Sequence, residues 1–120
     1  MTIFTWLLVA HLVGDWMLQN DWMARCKQQT LINRAIAMHC LLYTIAILLS
    51  LWLATQHESV TPPFVRFALI IFGSHWLIDA ANLADYWRRL FRQSDQRFVA
   101  VMVDQTLHVI VLACLVEFLL

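Results

Sequence analysis

Charged side chains are scarce in this chain: 13% of its 120 residues are charged, whereas 62% are hydrophobic, and the mean hydropathy is +0.69. A soluble domain carries about 25% charged residues, so the composition argues against an ordinary soluble globular protein. The formal net charge is zero, and no basic run alternates with aromatic residues. That pattern argues against a nucleic-acid-binding surface. The composition instead predicts an integral membrane protein whose first partner is the lipid bilayer.

Cysteine and glycine are also rare. The three cysteines, Cys26, Cys40 and Cys114, are an odd number without a CxxC spacing. They therefore indicate neither a disulfide framework nor a cysteine-based zinc site. The two glycines, Gly14 and Gly73, each lie in or beside a polar motif. Because small residues let membrane helices approach closely, we expect tight helix contacts at both positions.

Four apolar segments have about the length that crosses a bilayer, roughly 20 residues each. They predict an all-α fold, a polytopic four-transmembrane-helix bundle that forms a single domain over residues 1–120. A turn is expected at Ser94 and Asp95, before the last helix. The first segment has no basic start and no small-residue cleavage site, so we expect it to stay as a helix rather than act as a signal peptide. The predicted helices cover residues 2–20, 34–55, 63–92 and 96–119.

Basic residues mark the expected topology. Seven of the eight lysines and arginines lie in or beside the connections 20–34 and 86–97. By the positive-inside rule these two connections face the cytoplasm, so connection 56–63 and both termini face outward. The sequence thus predicts a multi-pass membrane protein, and the oligomeric state stays open.

Polar residues recur at four-residue intervals within the apolar segments. In "HLVGDWMLQ", the residues His11, Asp15 and Gln19 share one helix face, because positions i, i+4 and i+8 stack on an α-helix. The motifs "HCLLY", "HWLID" and "DQTLH" repeat such pairs in the other three segments. A rise of about 1.5 Å per residue from the cytoplasmic boundary places all of these groups at one level in the inner half of the bundle. We expect one polar site there.

Imidazole and carboxylate groups in this combination are ligands of zinc, manganese and iron. Seven groups are too many for one tetrahedral ion, so either some orient the ligands or two ions share bridging carboxylates. The expected cofactor is a divalent metal, zinc foremost with manganese and iron as alternatives, as one or two ions. The candidate ligands are His11, Asp15, His39, His75, Asp79, Asp104 and His108. The candidate outer groups, which would orient the ligands, are Gln19, Tyr43, Asn82 and Tyr86.

With these four motifs the chain resembles the small bacterial membrane proteins grouped as domain of unknown function 3307, over nearly its whole length. The opening "HLVGDWMLQ" is the most specific part of the resemblance. The chain is more distantly similar to membrane-bound proteins labelled metal-dependent hydrolases, which also place histidines and aspartates within helices. The resemblance implies that the same seven histidines and aspartates form the site, and that the protein lies in the bacterial inner membrane. It supplies no reaction.

The leading functional hypothesis is a metal-dependent hydrolase of a membrane-associated substrate, such as an ester, amide or phosphoester of a lipid. Asp15 or Asp79 would act as general base, and Tyr43, Tyr86 or Gln19 would donate a hydrogen bond to the developing oxyanion.

Two alternatives belong to other classes. Intramembrane aspartates and histidines also build proton or cation transport components. A structural or accessory subunit would use the polar cluster only to fix helix packing. The metal hypothesis is based on charge compensation. The only basic residue within a span, Arg66, lies too far away to compensate three carboxylates, so protonated imidazoles or a metal cation must do so, and the metal does it best.

Overall fold

The computed structural model of the chain describes residues 1–93 and 96–120, and the turn expected at Ser94 and Asp95 lies outside them. The described residues form helices and no strand, which confirms the all-α prediction. A five-residue π-helical turn, Val13–Met17, continues the first helix. The α-helices are α1 (Ile3–Leu12), α2 (Asp21–Cys26), α3 (Arg34–Thr55), α4 (Phe64–Ala80), α5 (Leu83–Leu90) and α6 (Arg97–Leu119).

Helices α1, α3, α4 and α6 pack in a ring, in which each contacts two of the others. One end of the ring is filled by an apolar cluster that includes Leu7, Ile47, Phe67 and Leu112. The buried histidines and aspartates lie toward the other end of the same helices. The apolar end holds the ring together, and the polar end positions the candidate site.

Two asparagines define the connection between α1 and α3. Asn20 and Asn33 each accept a hydrogen bond, 2.9 Å long, from the backbone N–H three residues later, and so cap the starts of α2 and α3. The Trp76 indole N–H donates to the backbone oxygen of Leu31 at 2.8 Å, which ties the connection to α4. This anchored connection carries Lys27.

The third predicted helix, residues 63–92, is broken in the structure. Asn82 adopts the left-handed conformation, with φ 50° and ψ 55°, and separates α4 from α5. The two helices differ in direction by 57°. Asparagine tolerates the left-handed region better than most residues, so it ends a helix where hydropathy gives no signal.

The first predicted helix, residues 2–20, also departs from a regular α-helix. The Leu18 N–H donates to the Val13 carbonyl at 2.9 Å, five residues back, which is the π-helical pattern. A Cβ atom at Gly14 would lie 3.0 Å from Tyr43 Cδ2 and 3.2 Å from Tyr43 Cα. Gly14 therefore permits the close approach of the π turn to α3, as predicted. At Gly73 a Cβ would meet nothing within 4 Å, so the prediction of a tight contact there is wrong.

Two helices, α3 and α6, are long and apolar enough to cross a membrane. The pair α4 and α5 would be a third crossing if counted as one bent span. The apolar segment Ile3–Met17 is shorter than these. The helices thus offer two or three candidate spans by length and composition.

Candidate metal centre

Four buried side chains from three parts of the ring converge on one point. His39 Nε2 lies 3.1 Å from Asp15 Oδ1 and 3.0 Å from Asp79 Oδ2. His75 Nε2 lies 3.7 Å and 3.4 Å from the same two oxygens. The two Nε2 atoms are 2.8 Å apart. We call these four residues, Asp15, His39, His75 and Asp79, the four-ligand cluster; they can hold a metal ion.

The spacing of the four-ligand cluster fits a tetrahedral ion. Ligand bonds of about 2.0–2.2 Å to zinc place neighbouring tetrahedral ligands about 3.3–3.6 Å apart. The five separations above run from 2.8 to 3.7 Å around that spacing. Small side-chain shifts would therefore complete the coordination.

Hydrogen bonds alone satisfy the four-ligand cluster poorly. The Nδ1 atoms of His39 and His75 have no hydrogen-bond partner in the described part of the chain, so the contacts of both rings concentrate at Nε2. A single Nε2–H on His39 would face three acceptors, and protons on both Nε2 atoms would face each other. A cation placed between the four atoms satisfies all of them together.

His108 forms a second group with Asp15 and Asp104, whose potential ligand atoms lie within 4.8 Å of one another. His108 Nδ1 donates to the Asp104 backbone oxygen at 2.8 Å, which leaves Nε2 unprotonated in the neutral ring. That Nε2 lies 3.4 Å from Asp79 Oδ1, and both atoms lack a hydrogen bond within the described residues. Two facing acceptors again indicate space for a cation.

His11, a predicted ligand, joins neither group. The Tyr43 hydroxyl donates to His11 Nδ1 at 2.9 Å, and His11 Nε2–H donates to Gln105 Oε1 at 2.7 Å. Gln105 Nε2 then donates to Asp15 Oδ2 at 2.6 Å. Both His11 ring nitrogens are thus engaged, and the residue orients Asp15 through Gln105. Sequence reasoning missed Gln105, although it lies within the motif "DQTLH".

Lys27 corrects the expectation that no basic side chain reaches the carboxylates. Its ammonium donates to Asp79 Oδ2 and to Gln19 Oε1, each at 2.8 Å. Burial lowers the pKa of Lys27, but the attraction and hydrogen bond of Asp79 offset this effect and hold that pKa above its ordinary value. A long side chain from a connection can therefore enter the site, which the spacing of residues within spans does not reveal.

Four residues are predicted to orient the ligands. The structure places two of them in contact with site residues, one at the rim of a cavity and one outside the site. Tyr43 is buried against His11 and stacks on His75 with ring centroids 3.9 Å apart. Gln19 is half-buried and holds Lys27. Asn82 is exposed at the rim of a cavity. Tyr86 lies on α5 with 69% of its surface exposed and is not part of the cluster.

Two cavities reach the site from the side of the connections. One, of about 330 Å³, is lined by Asp15, Lys27, Asp104 and Gln105 among others. The other, of about 300 Å³, shares Lys27 and Asp104 and extends to Arg88 and Arg97. Asp104, with 23% of its side chain exposed, therefore faces space that a small molecule can occupy.

No curated protein and no solved structure matches the chain. The family of proteins of unknown function DUF3307 does match, over residues 3–120. The chain belongs to that family.

Proposed function

We propose that this chain is a membrane protein that binds a divalent metal at the four-ligand cluster and hydrolyses a membrane-associated substrate. The observation that carries the proposal is the convergence of four buried ligand atoms at 2.8–3.7 Å. Two imidazoles and two carboxylates suit zinc best, and manganese and iron accept the same ligands. His108 Nε2 and Asp79 Oδ1, which lie 3.4 Å apart, would hold a second ion if two are bound.

Charge balance supports a divalent cation. Asp15, Asp79 and Asp104 supply three carboxylates, against the single ammonium of Lys27. With neutral imidazoles, one negative charge is left on the buried pair Asp15 and Asp79, and Asp104 adds a second at the edge of the cavities. Burying uncompensated carboxylates costs several kcal/mol. One divalent ion would cancel that charge.

We place the chain in the bacterial inner membrane as four passes: α1 with its π turn, α3, the bent pair α4 and α5, and α6. The first pass is short, and it would be shielded by its neighbours in the ring. Both termini would face outward, with the basic connections inside. The cavities beside Asp104 then open toward the cytoplasmic leaflet.

Burial and exposure distinguish the residues that would bind the metal from the residue that would act as general base. A bound divalent ion supplies Lewis acidity, which activates water and polarises the scissile bond. Asp15 and Asp79 would both be ligands of the ion, which argues against either of them as the general base. Asp104 accepts one weak hydrogen bond, from Gln105 Nε2 at 3.4 Å, and borders both cavities. We therefore assign proton abstraction from water to Asp104.

The apolar end of the ring favours hydrolysis over transport. Side chains such as Leu51, Phe67, Ile71 and Leu112 fill the space beyond the site. A proton or cation pathway needs polar groups along its length. A cluster that opens to cavities on the side of the connections and meets packed apolar side chains at its other end is better suited to a reaction centre.

Metal content of the protein purified in dodecyl maltoside tests the metal site. After incubation with zinc and dialysis, we expect about one tightly bound ion per chain, or two if His108 holds a second. Asp79→Asn should lose the ion of the four-ligand cluster while the protein stays folded, whereas Glu117→Gln, at the other end of α6, should keep it. A wild-type protein without metal would overturn the proposal and favour an accessory subunit.

Hydrolysis needs a separate test. We expect the loaded protein to cleave at least one of a panel of chromogenic esters, amides and phosphoesters presented in micelles. Asp104→Asn should keep the ion of the four-ligand cluster and lose most of this activity, since the amide cannot accept the proton. Equal activity of Asp104→Asn and wild type would remove Asp104 as the base.

A further inference from the structure

The cavity that extends from Asp104 has a cationic rim. Lys27, Arg88 and Arg97 line it, and Asp104 is the one carboxylate among those of its lining residues that the structure describes. Guanidinium groups bind phosphate oxygens through paired, charge-assisted hydrogen bonds. The cavity therefore suits an anion such as a phosphate group, placed beside the proposed base.

One wall of this cavity is held in place by an ion pair. Arg88 Nη2 lies 2.7 Å from Asp85 Oδ1, and Arg89 Nη2 lies 2.8 Å from Asp85 Oδ2. The carboxylate is thus shared between two guanidinium groups, and the Arg88 guanidinium belongs to a residue that lines the cavity. Arg97, in contrast, is exposed at the start of α6. Its exposed side chain can therefore turn toward an incoming anion.

An apolar groove lies next to the cationic cavity. It has a volume of about 310 Å³ and runs along α6, where its lining includes Phe98, Met102, Leu107 and Ile110, with Trp87 from α5 on the other side. Such a groove excludes charged groups and accepts hydrocarbon.

The cavity and the groove lie side by side, because adjacent residues of α5 and α6 line one space each. On α5, Trp87 lines the groove and the next residue, Arg88, lines the cavity. At the start of α6, Phe98 lines the groove and the preceding residue, Arg97, lines the cavity. An occupant that satisfies both spaces has an anionic head and an apolar tail.

We propose that the substrate is a phosphate-bearing lipid, with its phosphate held by Lys27, Arg88 and Arg97 and an acyl chain in the groove beside Trp87. This inference rests on the proposed function, since Asp104 links the phosphate cavity to the four-ligand cluster. It selects phospholipids from the wider class of membrane-associated esters and amides.

Tryptophan quenching tests lipid recognition directly. The protein in dodecyl maltoside with EDTA is titrated with phosphatidic acid that carries brominated acyl chains, and with brominated diacylglycerol as the phosphate-free control. Phosphatidic acid should quench saturably at a concentration at least about ten-fold lower, because ionic hydrogen bonds to phosphate add affinity. Trp87→Phe should remove much of the saturable signal. Equal quenching by the two lipids would overturn the inference.

Matched arginine variants test the phosphate contacts. Arg97→Gln should weaken binding of phosphatidic acid about ten-fold and leave diacylglycerol unchanged. Arg66→Gln, in the first turn of α4 and outside the lining of both spaces, should bind like wild type. Unchanged binding by Arg97→Gln would contradict the assignment. Displacement of the lipid by an equal concentration of inorganic phosphate would identify a site for free phosphate instead.

The two proposals fail in different ways. EDTA removes metal from the binding assay, so its result does not depend on the four-ligand cluster. Normal metal content with no preference for phosphatidic acid would overturn the lipid inference and leave the metal proposal intact. Arg97-dependent lipid binding by a protein that never binds metal would support phosphate recognition and overturn the hydrolase.

Discussion

The Nε2 atoms of His39 and His75 lie 2.8 Å apart, in the same space into which Asp15 and Asp79 direct an oxygen each. Only one proton fits between two imidazole nitrogens at this distance. The contact therefore joins two residues, 36 positions apart in the chain, that cannot both keep an ordinary hydrogen bond there. Shared ligation of a metal removes the conflict.

Histidine variants should separate ligands from orienting residues. His39→Ala and His75→Ala should each lose the metal, because each supplies a ligand atom. His11→Ala should weaken it only about 10–100-fold, as for an outer hydrogen-bonding partner. Competition with a chromophoric chelator measures the affinity, and His57→Ala, in an exposed loop, is the control. A loss at His11 as large as that at His39 would make His11 a ligand after all.

Lys27→Gln should destabilise the metal-free protein by about 3 kcal/mol, because Asp79 keeps a buried charge without its cationic partner. Bound metal should reduce this loss, since the cation compensates the same carboxylate. Thermal unfolding in detergent, with zinc and with EDTA, measures both states. Arg25→Gln removes an exposed cation from the same connection and should have little effect in either. An equal loss for Lys27→Gln with and without metal would contradict the shared role of Asp79.

The two glycines should respond in opposite directions to alanine. Gly14→Ala places a methyl group 3.2 Å from the Tyr43 backbone, so the π turn must move away from α3, at a cost of about 1–3 kcal/mol. Gly73→Ala meets open space within α4 and should stabilise the helix by about 0.5–1 kcal/mol. Chemical unfolding in detergent compares them. Equal effects would show that the close approach at Gly14 is not a source of stability.

Thiol labelling should establish the topology. In a cysteine-free background, Gln29→Cys should react with a membrane-impermeant reagent only after the cells are opened, since the positive-inside rule places this connection in the cytoplasm. Ser59→Cys should react in intact cells. Both positions are exposed, so access to the side chain does not decide the result. The reverse pattern would place the cationic cavity on the outer side.

Periodicity was enough to predict that polar residues from separate helices meet, because a shared helix face is a local property. It could not assign their partners. His11 and Asp15 share a predicted face, and both contact Gln105, yet of the two only Asp15 also contacts His39. Asn82 shows a second limit: hydropathy continues through it, and the break turns Tyr86 away from the face that Asp79 occupies.

The contribution of Lys27 shows a third limit of sequence reasoning. Its side chain leaves a connection and ends at a carboxylate 52 positions later in the chain. No local pattern records such a contact, because it depends on how α2 packs against α3 and on how the connection is tied to α4 at Leu31. The four-span bundle and its place in the membrane stay predictions, supported by two or three helices of sufficient length.

The π turn at Val13–Met17 makes the site depend on how many residues the first helix contains, as well as on which residues they are. Each α-helical residue advances the chain by about 100° and about 1.5 Å. Loss of one residue before Asp15, such as Val13, would let the turn relax to a regular helix, with everything beyond it rotated relative to Tyr43 and His39. His11, which precedes the turn, would keep its place while Asp15 swung out of the cluster. In this helix a one-codon deletion would therefore damage the centre more than most single substitutions.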